Sequence, residues 1–298
     1  MTGIICINKD ADITSFGVCA KVRGITREKK VGHTGTLDPM ATGVLPIMLG
    51  GATRFLNFLP DSDKAYRGSF ILGKTTDTLD ITGNVLTECE VKVDYDAVEK
   101  VLENFRGVIT QLPPMYSAVS VDGKRLYELA RLGKTVERQP REIEIKRLEL
   151  AGENNGEYVI DVECSKGTYI RTLIDDIGQS LGCGAVMTKL VRTKAMGFGI
   201  DDCVTLDELQ ERRDNGVGFD DILLDIDKIL SPYPEVIVSF AQAKRFSNGG
   251  ALDKTRLKAV PGEGVCRVYS PDGIFLGLGK IDNEKGELSV LRLLTKRD

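Results

Sequence analysis

VGHTGTLDPMATGVLPIMLGGATR, from Val31 to Arg54, is the stretch that decides how this chain reads. Gly32, Gly35 and Gly43 surround His33, Asp38 and Pro39, and glycines at this density let the backbone turn tightly or lie close to a ligand. Pro39 disfavours the helical region for the residue before it, so the Asp38 carboxylate is expected on an extended or turn segment. The run Val44-Leu45-Pro46-Ile47-Met48-Leu49 that follows predicts a buried strand anchoring this loop. His33 is the only histidine, which excludes a Ser/His/Asp relay elsewhere and any multi-histidine metal site. A carboxylate on a glycine-rich loop suits catalysis, although Leu-Asp-Pro is also the composition of an ordinary turn.

The order Gly32-His33-Thr34-Gly35-Thr36-Leu37-Asp38-Pro39, continued by Ala41-Thr42-Gly43 and Leu45-Pro46, resembles the catalytic motif of the tRNA pseudouridine-55 synthases, the TruB family. Members of that family convert one uridine in the T-loop of tRNA to pseudouridine. The resemblance implies that Asp38 is the catalytic aspartate and that His33 lies close to the substrate base. Asp63 to Arg67 resembles the family's second motif, implying that Tyr66 stacks on the target base, and Gly73 to Gly83 matches its G-x-x-T-D-T-x-D-x-x-G pattern. Pro113 to Ala118 and Gly123 to Tyr127 form a further family-like block, basic and with two tyrosines, suited to RNA. Lys166-Gly167-Thr168-Tyr169-Ile170-Arg171 resembles the third motif, implying that Arg171 pairs with Asp38 and Tyr169 lines the uracil pocket. Leu190 resembles the apolar contact to the base. Near the start, Asp10 and Asp12 stand where relatives usually have proline and glycine, beside Lys9, the residue expected to touch substrate.

The expected reaction cleaves a glycosidic bond, turns the base and rejoins it through carbon. It changes no oxidation state, so the resemblance implies neither a metal nor an organic cofactor. A carboxylate suffices as nucleophile or base, and an adjacent arginine is expected to hold its pKa low. A stacked T-loop uridine must first be flipped out.

Two units are expected in 298 residues. Residues 1–230 read as an α+β catalytic domain of the pseudouridine synthase fold, a mixed antiparallel sheet flanked by helices. Residues 231–298 read as a small β-rich domain resembling the PUA type, with Ser231-Pro232-Tyr233-Pro234 as linker. Expected helices are one capped by Ser15 with Phe16, Cys19 and Ala20 in spacing, one capped by Asp94, one through Ile170, Leu173, Ile174 and Ile177, and one after the Thr205-x-x-Glu208 capping box. Expected strands include Lys64 to Gly73, a hairpin turning at Asn154 to Gly156, and four short tail strands, the first at Val236 to Phe240.

Net charge is −4, but Asp201 to Asp227 holds ten acidic residues against Arg212 and Arg213, and the remainder carries +4. Basic clusters at Arg23 to Lys30, Lys124 to Lys134 and Lys244 to Lys258 fit an extended RNA-backbone surface. Seven scattered cysteines without C-x-x-C, no basic-then-apolar start and no long apolar run together predict a cytoplasmic protein with reduced thiols and no membrane contact. A monomer whose partner is the tRNA T-arm is the expectation. Two alternatives remain: an RNA-guided relative working in box H/ACA particles, and a noncatalytic RNA-binding or RNA-folding module.

Overall fold

The apolar run after the glycine-rich loop forms strand β3 (Thr42–Leu49), buried along nearly its whole length. It pairs antiparallel with β1 (Gly3–Lys9) and with the short β2 (Val31–His33). The computed structural model describes residues 1–294. Further strands are β4 (Lys64–Leu72), β5 (Gly107–Gln111), β6 (Arg141–Asn154), β7 (Glu157–Cys164), β8 (Ala185–Ala195) and β9 (Phe198–Gly199). They complete one sheet in the order β1-β3-β8-β4-β7-β6-β5, with β2 on β3 and β9 on β8. The β3–β8 pair is parallel and the others are antiparallel, so the fold is α+β with a mixed sheet.

The expected helices form at α1 (Ser15–Thr26), α2 (Tyr95–Leu102), α3 (Ile170–Ser180) and α4 (Leu206–Asp214), with Asp94 and Thr205 capping the second and fourth. The cap of α1 is Thr14, whose hydroxyl accepts from Gly17 N, rather than Ser15. Its buried face is Val18, Cys19, Val22 and Ile25; Phe16 and Ala20, expected on that face, point to solvent. Asp12 adopts φ +62°, a left-handed turn that aspartate tolerates. The β6–β7 hairpin turns through Asn155 and Gly156 at φ +52° and +82°, as Asn-Gly favours. All seven cysteines are free, and no helix among the described residues is long and apolar enough to cross a membrane.

A second sheet follows, from β10 (Glu235–Ile237), β11 (Leu252–Asp253), β12 (Gly264–Tyr269), β13 (Phe275–Asp282) and β14 (Glu287–Leu293), in the order β10-β12-β13-β14-β11. The strand expected at Val236 to Phe240 ends at Ile237, and Phe240–Ser247 is a helix, α5, capped by Ser239 and Gln242. The two sheets share apolar packing: Ile4, Met48, Ala52 and Phe55 meet Ile226, Leu230, Tyr269 and Phe275. The stretch read as a linker is pinned there, with Tyr233 Oη donating to Phe58 O at 3.0 Å and Arg267 Nε donating to Tyr233 O at 2.8 Å.

Candidate active site

Residues 34–41 leave β2, carry Asp38 and re-enter the sheet at β3. Asp38 opens a tight turn closed by Ala41 N donating to Asp38 O at 3.1 Å, with Pro39 at the second position, where its fixed φ is favoured. The loop is irregular, so its backbone groups need partners outside any ladder. Three side chains from distant elements supply them. Ser15 Oγ accepts from Leu37 N at 2.8 Å and donates to Leu37 O at 3.1 Å. Lys9 Nζ donates to the carbonyls of Asp10, Pro39 and Ala41 at 2.8, 3.0 and 2.6 Å. Arg192 donates from Nε to Val44 O, from Nη1 to Thr36 O and from Nη2 to Gly35 O, at 2.7, 3.3 and 3.2 Å.

Gly43 locks this arrangement. At φ +99° it lies against β8, and a Cβ on it would stand 2.2 Å from Arg192 O.

Lys9, expected from the sequence to touch substrate, here braces backbone carbonyls. Its side chain is fully buried beneath the loop and its ammonium is committed to loop carbonyls. Burial lowers its pKa to about 8, partly opposed by Asp10, Asp38 and Asp12, so it remains a cation at neutral pH.

Five of the residues singled out in the sequence line one cleft of about 240 Å³: Asp38, Tyr66, Tyr169, Arg171 and Leu190. Tyr66 and Leu190 are buried on β4 and β8, and burial holds the Tyr66 phenol above its ordinary pKa, hence neutral. Tyr169 sits where β7 hands over to α3, and its backbone is clamped by the Gln111 amide. Gln111 Oε1 accepts from Tyr169 N at 2.7 Å, and Nε2 donates to Tyr169 O at 3.0 Å. His33 stays on β2, outside the cleft lining, with Nδ1 buried and unpartnered and its pKa lowered by burial and by Arg192.

Arg171, one residue into α3, is almost wholly buried. Its guanidinium meets the carboxylate at two points, Nε to Asp38 Oδ2 at 2.9 Å and Nη2 to Asp38 Oδ1 at 3.0 Å. The remaining donors reach Tyr116 O and Thr78 O, each at 2.8 Å, and Nη1 lies 3.8 Å from Asp80 Oδ2. Asp80 is itself fixed by Thr78 Oγ1 and by the amide and hydroxyl of Thr82. One buried cation thus ties together loops at positions 38, 78–80 and 116. A surface pair with Asp175 is excluded by this geometry.

The Asp38 pKa is raised, not lowered as the sequence reading expected. Burial is the largest cause and Asp80 adds to it, while Arg171 and Lys9 pull the other way. The pair delivers a carboxylate held in one orientation, with 30% of its side-chain surface open to the cleft and closer to neutrality than a solvent-exposed aspartate. A fixed carboxylate beside an apolar, aromatic slot can attack an electrophilic carbon or take a proton.

Arg192 and Gln111 shape the site without a role expected from the sequence, while Ser15 was expected only as a helix cap and Asp80 only as part of the Gly73 to Gly83 pattern. Arg192 and Gln111 could be suspected only as polar residues in or beside a run that must be buried.

Comparison with known proteins accounts for nearly the whole chain. Residues 23–170 match the model of the TruB family pseudouridylate synthase N-terminal domain. Residues 171–232 match the tRNA pseudouridylate synthase B C-terminal domain, and 234–294 the C-terminal region of pseudouridine synthase II TruB. The chain is 44% identical over 296 residues to tRNA pseudouridine synthase B of Pseudomonas fluorescens (strain Pf0-1), covering 99% of this chain and 96% of that one. It is 42% identical over 286 residues to the synthase of the same name from Clostridium tetani (strain Massachusetts / E88), covering 95% and 97%. Among solved structures, a chain of an H/ACA ribonucleoprotein bound to a substrate RNA containing 2'-deoxyuridine shares the fold, with TM-score 0.72 and 23% identity over 99% of this chain and 86% of that one. A Cbf5-Nop10-Gar1 complex gives 0.73 and 24% over the same shares. With the matched models spanning almost every residue, this chain belongs to the TruB family of pseudouridylate synthases.

Proposed function

We propose that this pseudouridine synthase acts on tRNA, isomerising uridine 55 of the T-loop, with Asp38 as the carboxylate that carries the chemistry. The observation that supports this most is the buried two-point Asp38–Arg171 pair in a cleft bounded by Tyr66, Tyr169 and Leu190. A flipped uracil loses its neighbours in the stack, and two tyrosines and a leucine offer apolar replacement. The N1–C1′ bond breaks, the base turns, and a C5–C1′ bond forms. N1 ends with a proton and C5 loses one, so the product is an isomer of the substrate. Asp38 serves this sequence as nucleophile or as proton acceptor, and Arg171 holds it oriented for either.

Relatives 42–44% identical that are called tRNA pseudouridine synthase B favour tRNA over a guide-dependent substrate, since the H/ACA chains share only the fold. The basic helix α5 and the segment after it, Lys244, Arg245, Lys254, Arg256 and Lys258, are proposed as backbone contacts that add affinity. The test is purified protein with an unmodified tRNA transcript and no other RNA, followed by mapping of pseudouridine. A single modified site at position 55 is the expected result. Modification only when a guide RNA is added, or binding without modification, would select one of the two alternatives instead.

A further inference from the structure

Lys64 opens β4 between Cys164 of β7 and Ala195 of β8, so strands on both sides fix its backbone. Its side chain stands between two clefts. One holds Asp38; the other, of about 270 Å³, is bounded by Thr34, Gly35, Lys166, Arg192 and Met196, and Lys64 lines both. The ammonium lies against the catalytic loop, where a methyl group on Gly35 would stand 3.2 Å from Lys64 Nζ.

The charges around Lys64 are already committed elsewhere. Asp61 takes Lys166 at 2.6 Å and Asp63 takes Lys146 at 2.8 Å, although both acids lie within three residues of Lys64. Asp38 is held by Arg171, and all three nitrogens of Arg192 serve backbone carbonyls, those of Val44, Thr36 and Gly35. Lys64 has no hydrogen-bond or ion-pair partner among the described residues, yet it is half-buried. Burial and the nearby Arg192 lower its pKa, the mark of a cation desolvated without compensation. Such a group gains most from an anion brought by a ligand, and a lysine ammonium suits phosphate as a point charge.

We infer that Lys64 is a phosphate-binding residue, taking the phosphodiester next to the target uridine on the ridge between the two clefts. The inference rests on the reading that the target uridine enters the Asp38 cleft. It adds that this entry is guided by a single anionic contact at the cleft's edge.

The test uses a T-arm stem-loop carrying one neutral methylphosphonate linkage, placed either 5′ or 3′ of the target uridine. Lys64→Met should weaken binding of the unmodified stem-loop by roughly tenfold, the size of one charge-assisted contact. The single-turnover rate at saturation should stay within about threefold, and the slope of log K against log salt should fall by about 1. Lys64→Arg should recover most of the affinity. Because the ammonium has no protein partner to lose, both variants should melt with the wild type. One of the two neutral linkages should weaken the wild type by a similar factor and leave Lys64→Met unaffected, which also says which phosphate is bound. If both linkages weaken Lys64→Met as much as the wild type, or if Lys64→Met binds normally, the assignment is overturned. Turnover of the unmodified stem-loop by the wild type is scored separately, so its absence would overturn the proposed substrate and not the role of Lys64.

Discussion

Around Asp38 and in the C-terminal sheet, the same difficulty is met in opposite ways. Backbone polar groups removed from water need partners. In the C-terminal sheet the ladders provide them, and the core between is apolar: Val236, Val238, Phe246, Val268, Ile281 and Leu288. Arg256 there is 80% exposed and pairs at 3.6 Å with Asp253 at the surface. Around Asp38 the chain cannot form a ladder, because the loop must present a carboxylate to a cleft. Lys9 and Arg192 are buried instead, and together they hold six carbonyls of that region. Even Arg267 of β12 fits the contrast: it turns inward to bond the carbonyls of Tyr233 and Asp227, which lie outside the strands. The buried Lys9 and Arg192 thus tie down the Asp38 loop and the start of β3.

The sharpest way to break that comparison is at the carboxylate. Asp38→Asn keeps the shape and removes the charge, so pseudouridine formation should vanish while tRNA binding stays within a few-fold. Turnover by the purified variant would remove Asp38 from the chemistry and leave the loop as scaffolding alone.

Next in size is Arg171. Arg171→Met should slow the single-turnover step by about 100-fold, the range seen when an oriented electrostatic partner is lost. Arg171→Lys should fall between, because lysine lacks the fork that meets both carboxylate oxygens. The pH profile fixes the sign. If Asp38 acts as the proposed ionised carboxylate, its burial-raised pKa should make wild-type activity decline with falling pH at a point above the ordinary carboxylate value. Arg171 lowers that pKa, so its loss should move the acid limb to still higher pH. An unshifted limb with a near-normal rate would mean that the pair does not govern the reaction.

Arg192 and Arg256 test the contrast as a matter of stability. Arg192→Met strips the side-chain partner from the carbonyls of Gly35, Thr36 and Val44 and should cost about 3 kcal/mol in urea unfolding. Arg256→Met should change stability by less than ~0.5 kcal/mol, as exposed ion pairs do. Equal costs at the two positions would erase the distinction drawn between the regions.

Local signals carried much of the fold. The capping residues Asp94 and Thr205, the Asn155-Gly156 turn and the apolar spacing of Ile170, Leu173, Ile174 and Ile177 each act within a few residues, and each element formed where it was read. Helix α5 was missed although Ser239-x-x-Gln242 is itself a capping box, because the apolar residues before it suggested strand. The α1 cap moved one residue because Thr14 and Ser15 are both competent caps, and the Ser15 hydroxyl is drawn instead to Leu37.

The family and the Asp38-centred motif are legible in the residues alone, because they are written as residue types at fixed short spacings; of the seven side chains expected at the site, Asp38, Tyr66, Tyr169, Arg171 and Leu190 line the cleft, whereas His33 and Lys9 do not. The pairing of each polar side chain, by contrast, is set by the fold. Arg171 lies 133 positions from Asp38, and Arg192 lies 156 and 157 positions from the carbonyls of Thr36 and Gly35. The direction of the Asp38 pKa likewise depends on burial outweighing an adjacent cation. Lys9 shows the division most clearly: beside the Asp38 motif it reads as a substrate contact. In the folded protein its ammonium is buried among three carbonyls, and a chain cannot state an environment until it has folded.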